Sequence, residues 1–220
     1  MKKVFAAAAT CLLSMNMMAN GDKAEGKGKW IEVNMNMLSY DSLSAKVKTG
    51  GASATTTTTS IETPNDLELV LDAGKMTRWY LYPTDPTMGF GLGFRVMPKV
   101  EVGANLRYKS ESVDKPSKHT DNMMNIGLFA NYDMEVGKSL VTAKLMVESS
   151  SSKTESTSPK EEHTGSAFGL GVELEHPLCE TVSYLGGVHY MMMSDKEKKS
   201  DVKAEMADLE IHLLGVRMHF

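Results

Sequence analysis

From Lys29 onward, apolar side chains recur at every second position. In 29–40, KWIEVNMNMLSY, Ile31, Val33, Met35 and Met37 alternate with Glu32, Asn34 and Asn36. That period gives a strand with one apolar and one polar face. The same reading holds for Leu67, Leu69 and Leu71 against Glu68, Val70 and Asp72. It holds for Phe90, Leu92, Phe94 and Val96 against Gly91, Gly93 and Arg95, and for Val100 to Tyr108 against Glu101, Gly103, Asn105 and Arg107. The second half repeats it at 124–132, 141–148, 168–175 and 182–190, and a short aromatic segment, TRWYLYP, lies at 77–83. In the last segment, ADLEIHLLGVRMHF, the apolar parity switches between Leu213 and Leu214, which predicts a β-bulge there.

The connections between these segments come in two kinds. Those at 73–76, 97–99, 135–138 and 176–180 are short. Those at 41–63, 110–121, 149–166 and 193–203 are longer and polar, and two are low in complexity, TTTTTS and SSSSKTESTSPKEEHTGS. Short and long connections alternate along the chain. The pattern predicts an all-β fold, an antiparallel up-and-down transmembrane β-barrel with short periplasmic turns and longer extracellular loops.

A soluble sheet would turn its apolar face to a core and its other face to water. Here the second face carries glycine, asparagine and isolated charges of both signs, a composition suited to a narrow lumen. Tyr and Trp stand near several strand ends (Trp30, Tyr40, Trp79, Tyr82, Tyr108, Tyr132, Tyr190), as interfacial girdles do. A spanning strand needs about 9–11 residues. The count is ten strands if 66–72 and 78–83 both cross, and eight if that pair stands as a hairpin in the first outer connection. Ten is the preferred number.

The stretch GVRMHF resembles the C-terminal assembly signal of bacterial outer-membrane barrels, with Gly215, Met218 and Phe220 in the glycine, apolar and terminal-aromatic places. Leu213 departs from that pattern, which usually has a polar residue two before the glycine. The chain after its leader resembles the small outer-membrane β-barrel proteins of the OmpA-like and OmpW-like group. The resemblance implies insertion by the barrel assembly machinery, which reads the last strand, and a monomer bounded by outer-membrane lipid and lipopolysaccharide.

The N-terminus agrees with export. MKKVFAAAATCLLSMNMMAN has two lysines, an apolar run and small residues, the layout of a secretory signal. We assign 1–19 to the signal peptide, with the cut within several positions of Ala19, and 20–220 to the barrel. The apolar run is short for a spanning helix. Cys11, between Thr10 and apolar residues, does not read as a lipoprotein cysteine, and after cleavage Cys179 alone remains, so no internal disulfide forms. The 220 residues carry a formal charge of −4, and without Lys2 and Lys3 the balance is −4 − 2 = −6. That balance does not suggest nucleic-acid binding.

By parity the inner face holds Glu32, Glu68, Asp72, Arg78, Arg95, Glu101, Arg107, Lys144, Glu148, Glu173, Glu175, His189 and Arg217. These charges read either as an ion-selective pore or as an internal network filling a small barrel. The filled lumen is preferred, because barrels of about eight strands leave room only for side chains and buried charges need partners. Some small outer-membrane barrels are enzymes on lipid A, phospholipids or peptides. The candidates here would be His189, His212, Ser183 and Glu210, but no Ser–His spacing stands out. His212 and His219 read as incidental strand residues. The scattered histidines predict no metal site, and the glycines of GFGLGF share one strand face with no helix following, so no nucleotide loop is read. Methionines such as Met35 and Met37 serve as apolar filler on the lipid face. No cofactor is expected. The sequence thus predicts a non-enzymatic barrel with a mainly structural or surface role, with a narrow passive channel for small solutes or hydrophobic molecules as the second choice.

Overall fold

The computed structural model describes residues 31–49, 52–62, 67–72, 77–83, 87–113, 119–156, 161–197 and 202–220. The signal segment, 1–19, lies outside them. The described residues form eleven antiparallel strands, β1 (Ile31–Thr49), β2 (Ala52–Glu62), β3 (Leu67–Asp72), β4 (Thr77–Tyr82), β5 (Thr87–Met97), β6 (Val100–Val113), β7 (His119–Val136), β8 (Ser139–Ser156), β9 (Glu161–Pro177), β10 (Val182–Glu197) and β11 (Lys203–His219). Ten of them, β1 and β3 to β11, follow one another around a ring, and β1 pairs with β11 to close it. The barrel is therefore ten-stranded, and the short pair β3 and β4 belongs to the wall.

The expected long outer loops are largely strand. Residues 41–49 continue β1, and the Thr-rich 52–62 pairs back on it as β2, Thr49↔Ala52 through Ser39↔Glu62. Below, β3 takes the same side of β1, Ile31↔Leu71 through Met35↔Leu67. β2 and β3 are thus two successive descending segments against one long β1. Threonine is β-branched and suits a pleated strand, so low complexity here marks a ladder. Likewise β8 and β9 stay paired from Leu140↔Glu175 up to Thr154↔Glu161, within the span expected to be loop at 149–166.

The predicted bulge is present. Leu185 faces Gly215 and Gly187 faces His212, so Gly186 alone opposes Leu213 and Leu214. On its other side, β11 meets a second irregularity at Met37–Leu38 of β1. The extra residue leaves both Leu213 and Leu214 outside, 46% and 42% exposed, while Glu210 and His212 above and Gly215, Arg217 and His219 below keep the inner parity. The reversed alternation in the sequence is one continuous inner face in the fold.

The outer face is an apolar band: Phe94, Leu106, Leu128, Val147, Leu170, Val172 and Val188 are all exposed. Where β1, β3, β4 and β11 meet, Ile31, Val33 and Leu69 are buried, with Met35, Leu67, Leu71, Leu81 and Met218 packed against them. The turn from β7 to β8 uses Gly137 at φ 64°, a conformation open to glycine and costly for a residue with a Cβ.

Candidate functional site in the barrel lumen

The inner face is crowded where rings meet glycines. Tyr80 on β4 packs edge-on to Phe129 on β7, centroids 5.4 Å apart. A Cβ on Gly103 would collide with the Phe129 ring and the Leu92 carbonyl oxygen. Gly171 likewise leaves the space that the His189 imidazole occupies.

Toward the short-turn end the charges join into one network. Arg217 on β11 donates to Glu175 at 2.6 Å, Glu173 at 3.0 Å and the Asn34 amide oxygen at 2.7 Å. Lys144 on β8 donates to the same Glu173 at 2.6 Å. His219 Nε2 lies 2.9 Å from Glu175 Oε1. Across the lumen, Arg78 on β4 stands 3.6 Å from Asp72 and 3.5 Å from Glu101, and Tyr80 donates its hydroxyl proton to Glu101. Glu32 on β1 joins the two sides, 4.0 Å from Arg78, from Arg217 and from His219. The network draws on β1, β3, β4, β6, β8, β9 and β11. Such pairs persist because removing one member strands the other in a low-dielectric interior.

Of the inner-face residues named from the sequence, Glu32, Asp72, Arg78, Glu101, Lys144, Glu173, Glu175 and Arg217 are in this network. Among the described residues Arg95, Arg107 and Glu148 enter no ion pair within 4.0 Å. Arg95 faces Glu101 in the β5–β6 register without a salt bridge. Glu148 is 7% exposed, and its Oε1 has no hydrogen-bond partner. Arg107 lies over the Tyr82 ring, 4.7 Å from its centroid, with its Nε buried and without a partner. Sequence reading passed over Asn34, which bridges Arg217 to Glu68. It also passed over His219, a network member. Both lie on the inner parity and were discounted only for want of a formal charge or an obvious role.

The histidines expected to be scattered are not all apart. His189 and His212 stack across β10 and β11, centroids 4.6 Å apart, and His212 Nε2 is 2.9 Å from Glu210 Oε1. Ser183 Oγ lies 3.4 Å from His219 Nε2, but Ser183 is 2% exposed. Among the described residues no group of three or more His, Cys, Asp or Glu side chains is placed to hold a metal ion. Cys179 is a free thiol in the β9–β10 turn. Hydrogen bonds from the backbone and side chain of Thr181 hold its pKa below the usual thiol value.

The assembly-signal residues sit at the closing seam. Gly215 is buried against Leu185 and the Met35 carbonyl oxygen, at a spot where a Cβ would lie 3.1 Å from each. Met218 packs on the Ile31 cluster. The Phe220 amide donates to the Ile31 carbonyl oxygen at 3.0 Å, and its ring is exposed.

A closed ring of ten strands with an apolar outer band and a charged, partly filled interior defines a transmembrane β-barrel. Residues 5–220 match the family described as the outer membrane protein beta-barrel domain, and the chain belongs to that family. Its place is the bacterial outer membrane. Among solved structures it is similar to the outer membrane protease OmpT from Escherichia coli, at 9% identity, 90% of this chain, 99% of that one and a TM-score of 0.52. It is also similar to Neisserial surface protein A, at 13% identity, 89% and 100% coverage and a TM-score of 0.40. OprG from Pseudomonas aeruginosa follows at 11% identity, 87% and 96% coverage and a TM-score of 0.39. At these identities the likeness is one of fold. No curated protein sequence matches the chain.

Proposed function

We propose that the chain is a monomeric outer-membrane barrel with a mainly structural and surface role, its lumen sealed toward the periplasm by the charge network. One observation carries this reading. Glu32 links the Arg78–Glu101 side to the Arg217–Glu173–Glu175 side, so ion pairs reach from wall to wall. A hydrated ion passing that level would have to displace pairs that hold each other. The wall meets outer-membrane lipid and, above it, lipopolysaccharide, and the barrel assembly machinery reads the last strand through Gly215, Met218 and Phe220. Hydrolysis is not part of this reading, because Ser183, the serine nearest a network histidine, is closed off from solvent.

A second reading, a narrow passive channel, is favoured by a cavity of about 740 Å³ lined by residues from Glu175 near the short-turn end to Met191 near the other. Planar-bilayer recordings of the refolded protein separate the two. The sealed barrel gives no unit conductance, and Arg217→Ala, which breaks the network at its centre, gives steps. Steady ohmic steps from the unaltered protein would sink the sealed reading and install the channel.

A further inference from the structure

The network joins most charges at one end of the lumen, where Arg95 stands outside it and Arg78 Nε and His219 Nδ1 keep no hydrogen-bond partner. Above it, toward the long-strand end, buried polar atoms lack partners: Asn36 Oδ1 and Nδ2, Asn105 Oδ1, Arg107 Nε and Asn125 Oδ1. Asn105 and Arg107 are two apart on β6 and share the inner parity, and Asn125 is the register partner of Arg107 on β7. Asn36, Asn105, Arg107 and Tyr82 line the cavity. Asn105 is 5% exposed, so its unpaired carbonyl oxygen is not on open surface. Arg78 and Arg217 each have three carboxylates within 4.0 Å, whereas among the described residues Arg107 has none within that distance; Glu148 flanks Asn105 across Gly127. The Arg107 guanidinium carbon lies over the Tyr82 ring, and Gly89 leaves the space that both side chains need.

We propose that the outer half of the lumen is a binding cup for a small solute bearing a carboxylate or phosphate, received by Arg107 with Asn105 and Asn125 beside it. The proposal rests on the sealed reading of the opposite end, which makes this half a dead-ended vessel. An arginine held by a ring face keeps its donors in a planar fork, the geometry that a carboxylate or phosphate takes two bonds from. Neighbouring side-chain amides supply donors and acceptors for hydroxyls on the same solute. Buried polar groups without partners cost stability, and a ligand that satisfies them recovers that cost.

The test is titration calorimetry of the refolded full chain in detergent, with glucuronate and inorganic phosphate as probes and glucose as the uncharged control. At least one anion is expected to bind saturably, with affinity falling about ten-fold or more in Arg107→Gln. Arg95→Gln, at the short-turn end, is expected to bind as the parent does. The heat-dependent gel shift checks that each variant is folded, and Asn105→Asp, which sets a like charge beside the anion, weakens binding if Arg107→Gln fails to fold. Glucuronate without phosphate, or phosphate without glucuronate, supports the cup and names its anion. Displacement of phosphate by added lipopolysaccharide assigns the anion to a lipid headgroup, and no displacement assigns it to a free solute. No saturable heat with either anion, glucose binding as tightly, or equal affinity in Arg107→Gln overturns the proposal. Absence of heat together with absence of conductance would overturn the cup and leave the seal standing.

Discussion

The two halves of this lumen use the same residue types and reach opposite conditions. At the short-turn end Arg78, Arg217, Lys144 and their carboxylates sit in shared contacts of 2.6–4.0 Å. Toward the other end Arg107, Glu148, Asn105 and Asn36 keep buried atoms with no partner. The difference is one of arrangement. β1 crosses between the two sides of the short-turn half and carries Glu32 and the bridging Asn34 there, whereas the Asn36 amide has no partner. A filled half and an unfilled half in one barrel separate the demand of stability from whatever the open half does.

The largest effect should come from the seam that keeps the two halves in register. Deleting Val216, just below the bulge, shifts the alternation by one and forces either the upper or the lower part of β11 to turn over. Turning the lower part puts Arg217 into lipid, at about 2–4 kcal/mol for the charge alone, and strips Glu173 and Glu175 of their partner. The expected result is loss of the heat-shifted band on gels, while Val216→Ala, which keeps the residue count, retains it. Next, Arg217→Met should lower stability by about 3–5 kcal/mol, because it leaves buried carboxylates unpaired; the midpoint of denaturant unfolding in micelles reads this. The matching change in the open half, Glu148→Gln, should do the reverse and raise stability by about 1 kcal/mol, since it neutralises a buried oxygen that nothing satisfies. A drop as large as that of Arg217→Met would erase the contrast between the halves.

The smallest effect lies outside the membrane. Lys48 donates to Glu205 at 2.8 Å and Lys203 at 3.3 Å, and these bonds hold the Glu205 carboxyl below its ordinary pKa. A carboxyl depressed in the folded state contributes above its unfolded pKa, and the contribution is lost as the pH falls through the folded value. Both partners are exposed, so salt screens the pair. The unfolding midpoint should therefore be slightly less sensitive to acid in Lys48→Ala than in the parent, and only at low ionic strength.

Much of the fold was legible because the pleat has period two. The inner and outer faces and the bulge at Leu213–Leu214 follow from alternation and its reversal there, while alternation leaves ten strands and eight both open, and β3 and β4 standing in the wall decide for ten. β2 was not legible, because TTTTTS alternates nothing and a uniform threonine run gives no face to read. The site was half legible. Parity names which charges face inward, but pairing depends on how strands far apart in sequence stagger around the ring. Arg217 meets Asn34 across 183 positions and Glu175 across 42, a matter of closure that no local window holds. For the same reason Glu148 and Lys144, four residues apart on one strand face, end with opposite fates.

The long strands settle how this protein meets the world outside the cell. β8 has 18 residues. At about 3.3 Å per residue and a tilt of roughly 40°, it rises about 45 Å, against an apolar band about 25 Å tall. Some 20 Å of hydrogen-bonded wall on this strand therefore stands clear of the lipid. Anything approaching from outside, whether antibody, phage fibre or protease, meets pleated flanks along that height.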